Sequence, residues 1–116
     1  MKIAALSSVV ATTTSATINI ENLENVSIQI IGASISSGNG VFEVLGSNDG
    51  TNFKELSNLI DNSTTPATRV ASKTLSANGN NILFIDNSMK PAMIQVKVTR
   101  TTDGTYSAII AGQKKI

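Results

Sequence analysis

The sequence predicts an all-β protein, a single antiparallel β-sandwich of jelly-roll or immunoglobulin-like type, with about nine short strands and little or no helix. Three observations carry the prediction. Apolar and polar residues alternate with a period of two along most of the chain. Glycines paired with Asn or Asp recur at short intervals, as in Gly38-Asn39-Gly40, Asn48-Asp49-Gly50, Asn78-Gly79-Asn80 and Asp103-Gly104, and such pairs tolerate the positive φ of tight hairpins. At 116 residues the chain fits one domain, residues 1–116, and leaves no room for two cores.

Taken in order, the strands are expected at residues 3–11, 15–21, 25–32, 40–47, 52–56, 68–75, 81–86, 92–100 and 104–112. Residues 1–14 form an extended N-terminal strand or arm of small and β-branched residues. It can pair within its own chain or add to the sheet edge of a neighbouring subunit. Ile18 and Ile20 share one face. Val26, Ile28 and Ile30 do the same against Ser27 and Gln29, as do Phe42 and Val44 around Glu43. The cleanest alternation is Ile94, Val96 and Val98 against Gln95, Lys97 and Thr99, and Tyr106, Ala108 and Ile110 repeat the pattern. Two runs, Ile82-Leu83-Phe84-Ile85 and Ile109-Ile110-Ala111, are apolar on both faces, which suits a central strand or a surface covered by a partner. Between Lys54 and Asn62 the spacing of Leu56, Leu59 and Ile60 fits one helical turn, and the stretch around Pro66 reads as a surface loop. The start of the chain has the lysine, short apolar stretch and small residues of a weak signal peptide, but Ser7 and Ser8 interrupt it and the strand reading is preferred.

Composition narrows the chemistry. Charged residues make up 15% of the chain, against about 25% in an average soluble domain, and Ser, Thr and Asn take their place. A formal charge of +1 gives no electrostatic footprint for nucleic acid, and one Tyr with three Phe offers few platforms for bases. No apolar run approaches the roughly 20 residues of a membrane-spanning helix. Cys and His are both absent, which excludes disulfides and thiolate sites and removes the usual general base and the commonest transition-metal ligand. The carboxylates fall mostly at expected turns, and no glycine pattern cradles phosphate. Asn48-Asp49-Gly50-Thr51-Asn52 superficially suits a hard cation, but an EF-hand would need carboxylates where Leu45 and Leu56 stand. The expectation is a non-enzyme without catalytic residues, cofactor or metal. Candidate partner-binding residues are Ile3, Leu6, Val9 and Val10 in the apolar N-terminal segment and Ile116 at the far end, after two lysines.

The run Val41-Phe42-Glu43-Val44-Leu45-Gly46-Ser47-Asn48-Asp49-Gly50-Thr51-Asn52-Phe53 resembles the strand, SNDGTN turn and aromatic of small structural proteins of tailed-bacteriophage virions, among them head-decoration, head-fibre and tail components. Met93 to Thr99 followed by Thr101-Thr102-Asp103-Gly104-Thr105 fits the same style of C-terminal hairpin. The resemblance covers about a third of the chain. It implies a β-sandwich subunit of the virion that self-associates as a homo-oligomer and binds major capsid or tail protein, without catalysis. The same turn is similar to one in discoidin-type carbohydrate-binding domains. From these the chain departs in its shorter length, in Phe53 where Trp is usual, and in lacking a Cys pair, and that leaves a sugar-binding or adhesive module as the alternative.

Overall fold

A computed structural model describes residues 1–115 as two stacked antiparallel sheets. Twelve strands are formed: β1 (Lys2–Val9), β2 (Thr13–Thr14), β3 (Ile18–Asn19), β4 (Leu23–Ala33), β5 (Asn39–Ser47), β6 (Lys54–Glu55), β7 (Leu59–Asp61), β8 (Thr68–Val70), β9 (Lys73–Leu75), β10 (Gly79–Phe84), β11 (Met93–Thr101) and β12 (Thr105–Lys114). The first sheet runs β1-β12-β4-β10-β7-β8. The second runs β2-β11-β5-β6, with β3 also on β11 and β9 also on β5.

The alternating residues fill the space between the sheets. Val26, Ile28, Ile30, Phe42, Ile94, Val96, Val98, Tyr106 and Ala108 are fully buried, and Leu59, Leu83 and Ile110 join them. At roughly 1.5–3 kcal/mol for each large side chain removed from water, this inner layer is the principal source of stability. Tyr106 meets Phe42 edge to face, with ring centroids 5.9 Å apart, a preferred aromatic geometry.

The chain rarely stays in one sheet. Only the β2–β3, β5–β6 and β7–β8 connections do so. Three of the four glycine turns expected as hairpins are therefore arches from one sheet to the other, at residues 34–38, 76–78 and 102–104. Of the four, it is the turn at Asn48-Asp49-Gly50 that closes a hairpin. β11 and β12 accordingly do not form the expected C-terminal hairpin. Two arches are tied together by Asp103, whose carboxylate accepts from the backbone N–H groups of Ser36, Ser37 and Gly38 at 2.9–3.2 Å. These bonds, led by that from Ser37, hold the Asp103 carboxyl below its ordinary range.

Two other expectations change. No helical turn forms at 54–62. Leu59 and Asp61 point inward from β7 and Ile60 outward, so strand burial overrides the helical spacing, and the short 3-10 turn lies at Asn87–Met89 instead. The strand expected at 68–75 breaks at Ala71-Ser72, which carries the chain from β8 in one sheet to β9 in the other. Across that gap the buried Asp61 carboxylate accepts from Lys73 Nζ at 2.8 Å and from Asn81 Nδ2 at 3.1 Å, a polar pin between the sheets.

Gly40 shows why a strand residue has no side chain here. A Cβ at that position would lie 2.5 Å from Tyr106 Cε1, in a ring that is fully buried. Gly40→Ala is expected to destabilise the fold by about 1–3 kcal/mol through overpacking, read as a lowered denaturation midpoint in urea. A loss below about 0.5 kcal/mol would mean that the ring has room to move.

Candidate binding face

Because side chains alternate along a strand, the first sheet also has an outer layer. Three registered rows cross it. Ile82, Gln29, Ile109 and Ala4 lie side by side on β10, β4, β12 and β1. Asn80, Ile31 and Ser107 form the next row. Ile60, Phe84, Ser27 and Ala111 form the third, with Arg69 beyond Ile60 and Lys2 beyond Ala111. Their chain neighbours Ile28, Ile30, Leu83, Ala108 and Ile110 are buried, which turns the named residues outward. Ile82 is 39% exposed, and Ile31, Ile60, Phe84 and Ile109 are half-buried.

Charge is confined to the rim of these rows. Arg69 pairs with Asp86 at 3.2 Å and donates to the carbonyl of Asn58, and Lys2 marks the opposite edge. The second sheet is built differently. Its outer face carries Glu43 opposite Lys97, and Glu55 next along on β6. The neighbouring Glu43 carboxyl raises that of Glu55 above its ordinary value. The outer face of the first sheet is therefore uncharged between its rims, whereas that of the second mixes its charges with Val41, Leu45 and Met93. Outward apolar side chains interspersed with uncharged polar ones make this face the candidate interaction surface.

A hollow at one corner of the apolar face is lined by Asn25, Ile60, Asn62, Phe84, Asp86 and Asn87. Several of its polar groups already have partners inside the chain. Asn87 Nδ2 donates to Asn25 Oδ1 at 3.0 Å, Asn25 N donates to Asn87 Oδ1 at 2.9 Å, and Asn25 Nδ2 donates to Gln113 at 2.8 Å. Asp86 accepts from Ser88 and Arg69. Phe84 is the aromatic beside them, while Phe42 and Tyr106 lie in the core.

The SNDGTN turn is built by its own side chains. Asp49 accepts from Thr51 N at 2.9 Å, Asn52 N at 2.8 Å, Asn52 Nδ2 at 2.8 Å and Ser47 Oγ at 2.9 Å. These bonds, the backbone N–H of Asn52 first, hold its carboxyl far below the usual range. Gly50 supplies φ +78°, and Asn48 accepts from Ala92 N at 2.9 Å, docking the turn on β11. The carboxylate at the centre of the phage-like motif is thus committed to backbone donors. Asp49→Ala is expected to lower the midpoint of chemical denaturation, and a midpoint equal to that of wild type would mean that the turn holds without it.

The structure scatters the residues proposed from sequence as partner contacts. Leu6 is 3% exposed and belongs to the core, and Ile3 and Val9 pack against it. β1 pairs with β12 of its own chain, with Ile3 opposite Ile110, so its apolar side faces inward. Val10 is 61% exposed at the crossing to β2. Ile116 lies outside the described residues. Of the outward residues, Ile31 was not singled out by sequence, although it directly follows core-facing Ile30 and breaks the alternation, and Ile60 was read only as part of a helical spacing.

No protein-family model and no curated protein sequence matches the chain. Among solved structures, the crystal structure of SPBc2 prophage-derived protein YomS is similar, with a TM-score of 0.62 at 13% identity over 95% of this chain and 90% of that one. At that identity the likeness is one of fold.

Proposed function

We propose that this chain is a non-enzymatic structural protein of a bacteriophage virion, a decoration, auxiliary or tail component that self-associates and binds neighbouring capsid or tail subunits. The observation that carries the reading is the apolar outer face set on a sandwich whose fold is shared with a prophage-derived protein. The chemistry of the residues agrees. The chain has no His and no Cys, and three of its depressed carboxylates, Asp49, Asp61 and Asp103, are occupied in holding turns and sheets together. A protein that works by covering surface needs an uncharged face, and the outer side of the first sheet presents one. The phage-like turn between β5 and β6 points the same way.

Cosedimentation tests the reading. Purified chain mixed with empty capsids, and separately with isolated tails, is expected to pellet with one of them and to saturate at a fixed ratio of copies per particle. Protein that stays in the supernatant with both, while binding a sugar specifically on a glycan array, would replace this reading with the carbohydrate-binding one.

A further inference from the structure

We infer that the outer face of the β1-β12-β4-β10 region is where two copies of this chain pair, sheet against sheet, about a twofold axis. The inference rests on reading the chain as an assembling subunit and names the surface it uses.

Charge is the first argument. Between Arg69 and Lys2 the three rows hold no ionisable side chain. A partner with a charged surface would have to leave those charges dry and unpaired, which is costly. A second copy brings the same uncharged face. The polar residues of the rows, Ser27, Gln29, Ser107 and Asn80, each carry both donors and acceptors, so they can bond to their own kind in a twofold contact. Asn80 accepts from Gln29 within the chain at 3.3 Å, a long bond that leaves capacity for others.

Area is the second. The molecule measures 43 × 34 × 23 Å, and the short dimension fits two sheets about 10 Å apart with their outer side chains. The sheet face therefore occupies the two long dimensions. A stable interface takes about 800 Å² from each partner, a little over half of a 43 × 34 Å rectangle. Face-to-face packing at this scale is the packing the protein already uses internally.

The alternatives within the fold are poorer. β8, β6 and β2, at the outer edges of the sheets, have two or three residues, too short to template strand addition. β1 is longer, but its register with β12 shifts twice and Ser8 has φ +49°, so it presents no regular edge. The outer face of the other sheet carries Glu43, Glu55 and Lys97.

Sedimentation equilibrium of the full chain tests this with two charged substitutions at matched places. The wild type is expected to be a dimer, or a closed assembly of dimers. Ile82→Lys, exposed on β10 within the proposed contact, is expected to weaken pairing by about 100-fold or more, because a twofold interface carries the buried ammonium twice. Gln95→Lys, outward on β11 in the other sheet, is expected to leave pairing within about threefold of wild type. Circular dichroism checks that each variant folds. Ala4→Arg, exposed at the far end of the Ile82 row, tests the same contact should Ile82→Lys not fold. A monomeric wild type, or a dimer indifferent to both Ile82→Lys and Ala4→Arg, overturns the inference. A monomer that binds particles through Ile82 also overturns it but keeps the virion reading. A dimer that Ile82→Lys dissociates and that binds no particle keeps the pairing and removes the virion role.

Discussion

Tyr106→Ala is expected to destabilise the protein by about 3–5 kcal/mol, the usual range for deleting a large buried aromatic. Tyr106 is fully buried, meets Phe42 edge to face, and donates from its hydroxyl to the carbonyl of Asp103 at 3.0 Å. Its ring also occupies the space that side chains would take at Gly40 and Gly104. Those backbones belong to β5 and to the 102–104 arch, which the Asp103 bonds fix in place, so the site cannot collapse to fill the void. A domain of this size has about 5–15 kcal/mol of stability in all, so the loss is a large part of it and would lower the midpoint of thermal unfolding by more than about 10 °C. Tyr106→Phe keeps the ring and leaves only the Asp103 carbonyl without its partner, a cost of about 1–2 kcal/mol. Calorimetry in which the two variants lost equal stability would place the importance in the hydroxyl and not the ring.

The second large effect is expected at the pin between the sheets. Burial by itself would raise the Asp61 carboxyl, but the Lys73 ammonium, the Ser63 backbone N–H and the Asn81 amide outweigh it and hold the group far below its usual range. Lys73→Met removes the cation and leaves a carboxylate that is 3% exposed. The expected cost is about 2–4 kcal/mol, at or below the range for stranding a buried charge, because Lys73 itself is partly in water. Asp61→Asn in the Lys73→Met background removes the stranded charge and should recover part of the loss, which a double-mutant cycle measures. The pH dependence has a definite sign. A carboxyl depressed in the folded state adds stability that is present above its unfolded value near 4 and is lost as pH falls through the folded one. Wild type should therefore lose stability progressively below about pH 4, and Asp61→Asn should flatten that slope. Identical acid profiles for the two would exclude the pin as a source of acid sensitivity.

The core was legible from sequence because burial between two sheets imposes a period of two, and Ile94-Val96-Val98 or Val26-Ile28-Ile30 cannot satisfy it any other way. The turns were legible as turns but not as arches. An Asp-Gly pair supplies positive φ whether the next strand returns to the same sheet or crosses to the other, and the choice at Asp103 depends on Ser36, Ser37 and Gly38, more than sixty residues earlier. The helical spacing of Leu56, Leu59 and Ile60 was real, but Ile60 points outward, which no local pattern reveals. The binding face was half legible: the runs at 82–85 and 109–111 stood out as apolar on both sides. That they lie in one layer with Ile31 and Ile60 follows only from the strand order. In the apolar N-terminal segment β1 turns Leu6 onto the core while Val10 stays exposed, a division that composition alone does not reveal.

The proposal of a particle subunit is tested most directly by quantitative mass spectrometry of gradient-purified phage particles made by a host that carries this gene. The chain is expected to be present in a fixed number of copies per particle, in a simple ratio to the major capsid or tail protein. Particles that are complete and infectious with no trace of the chain would contradict it.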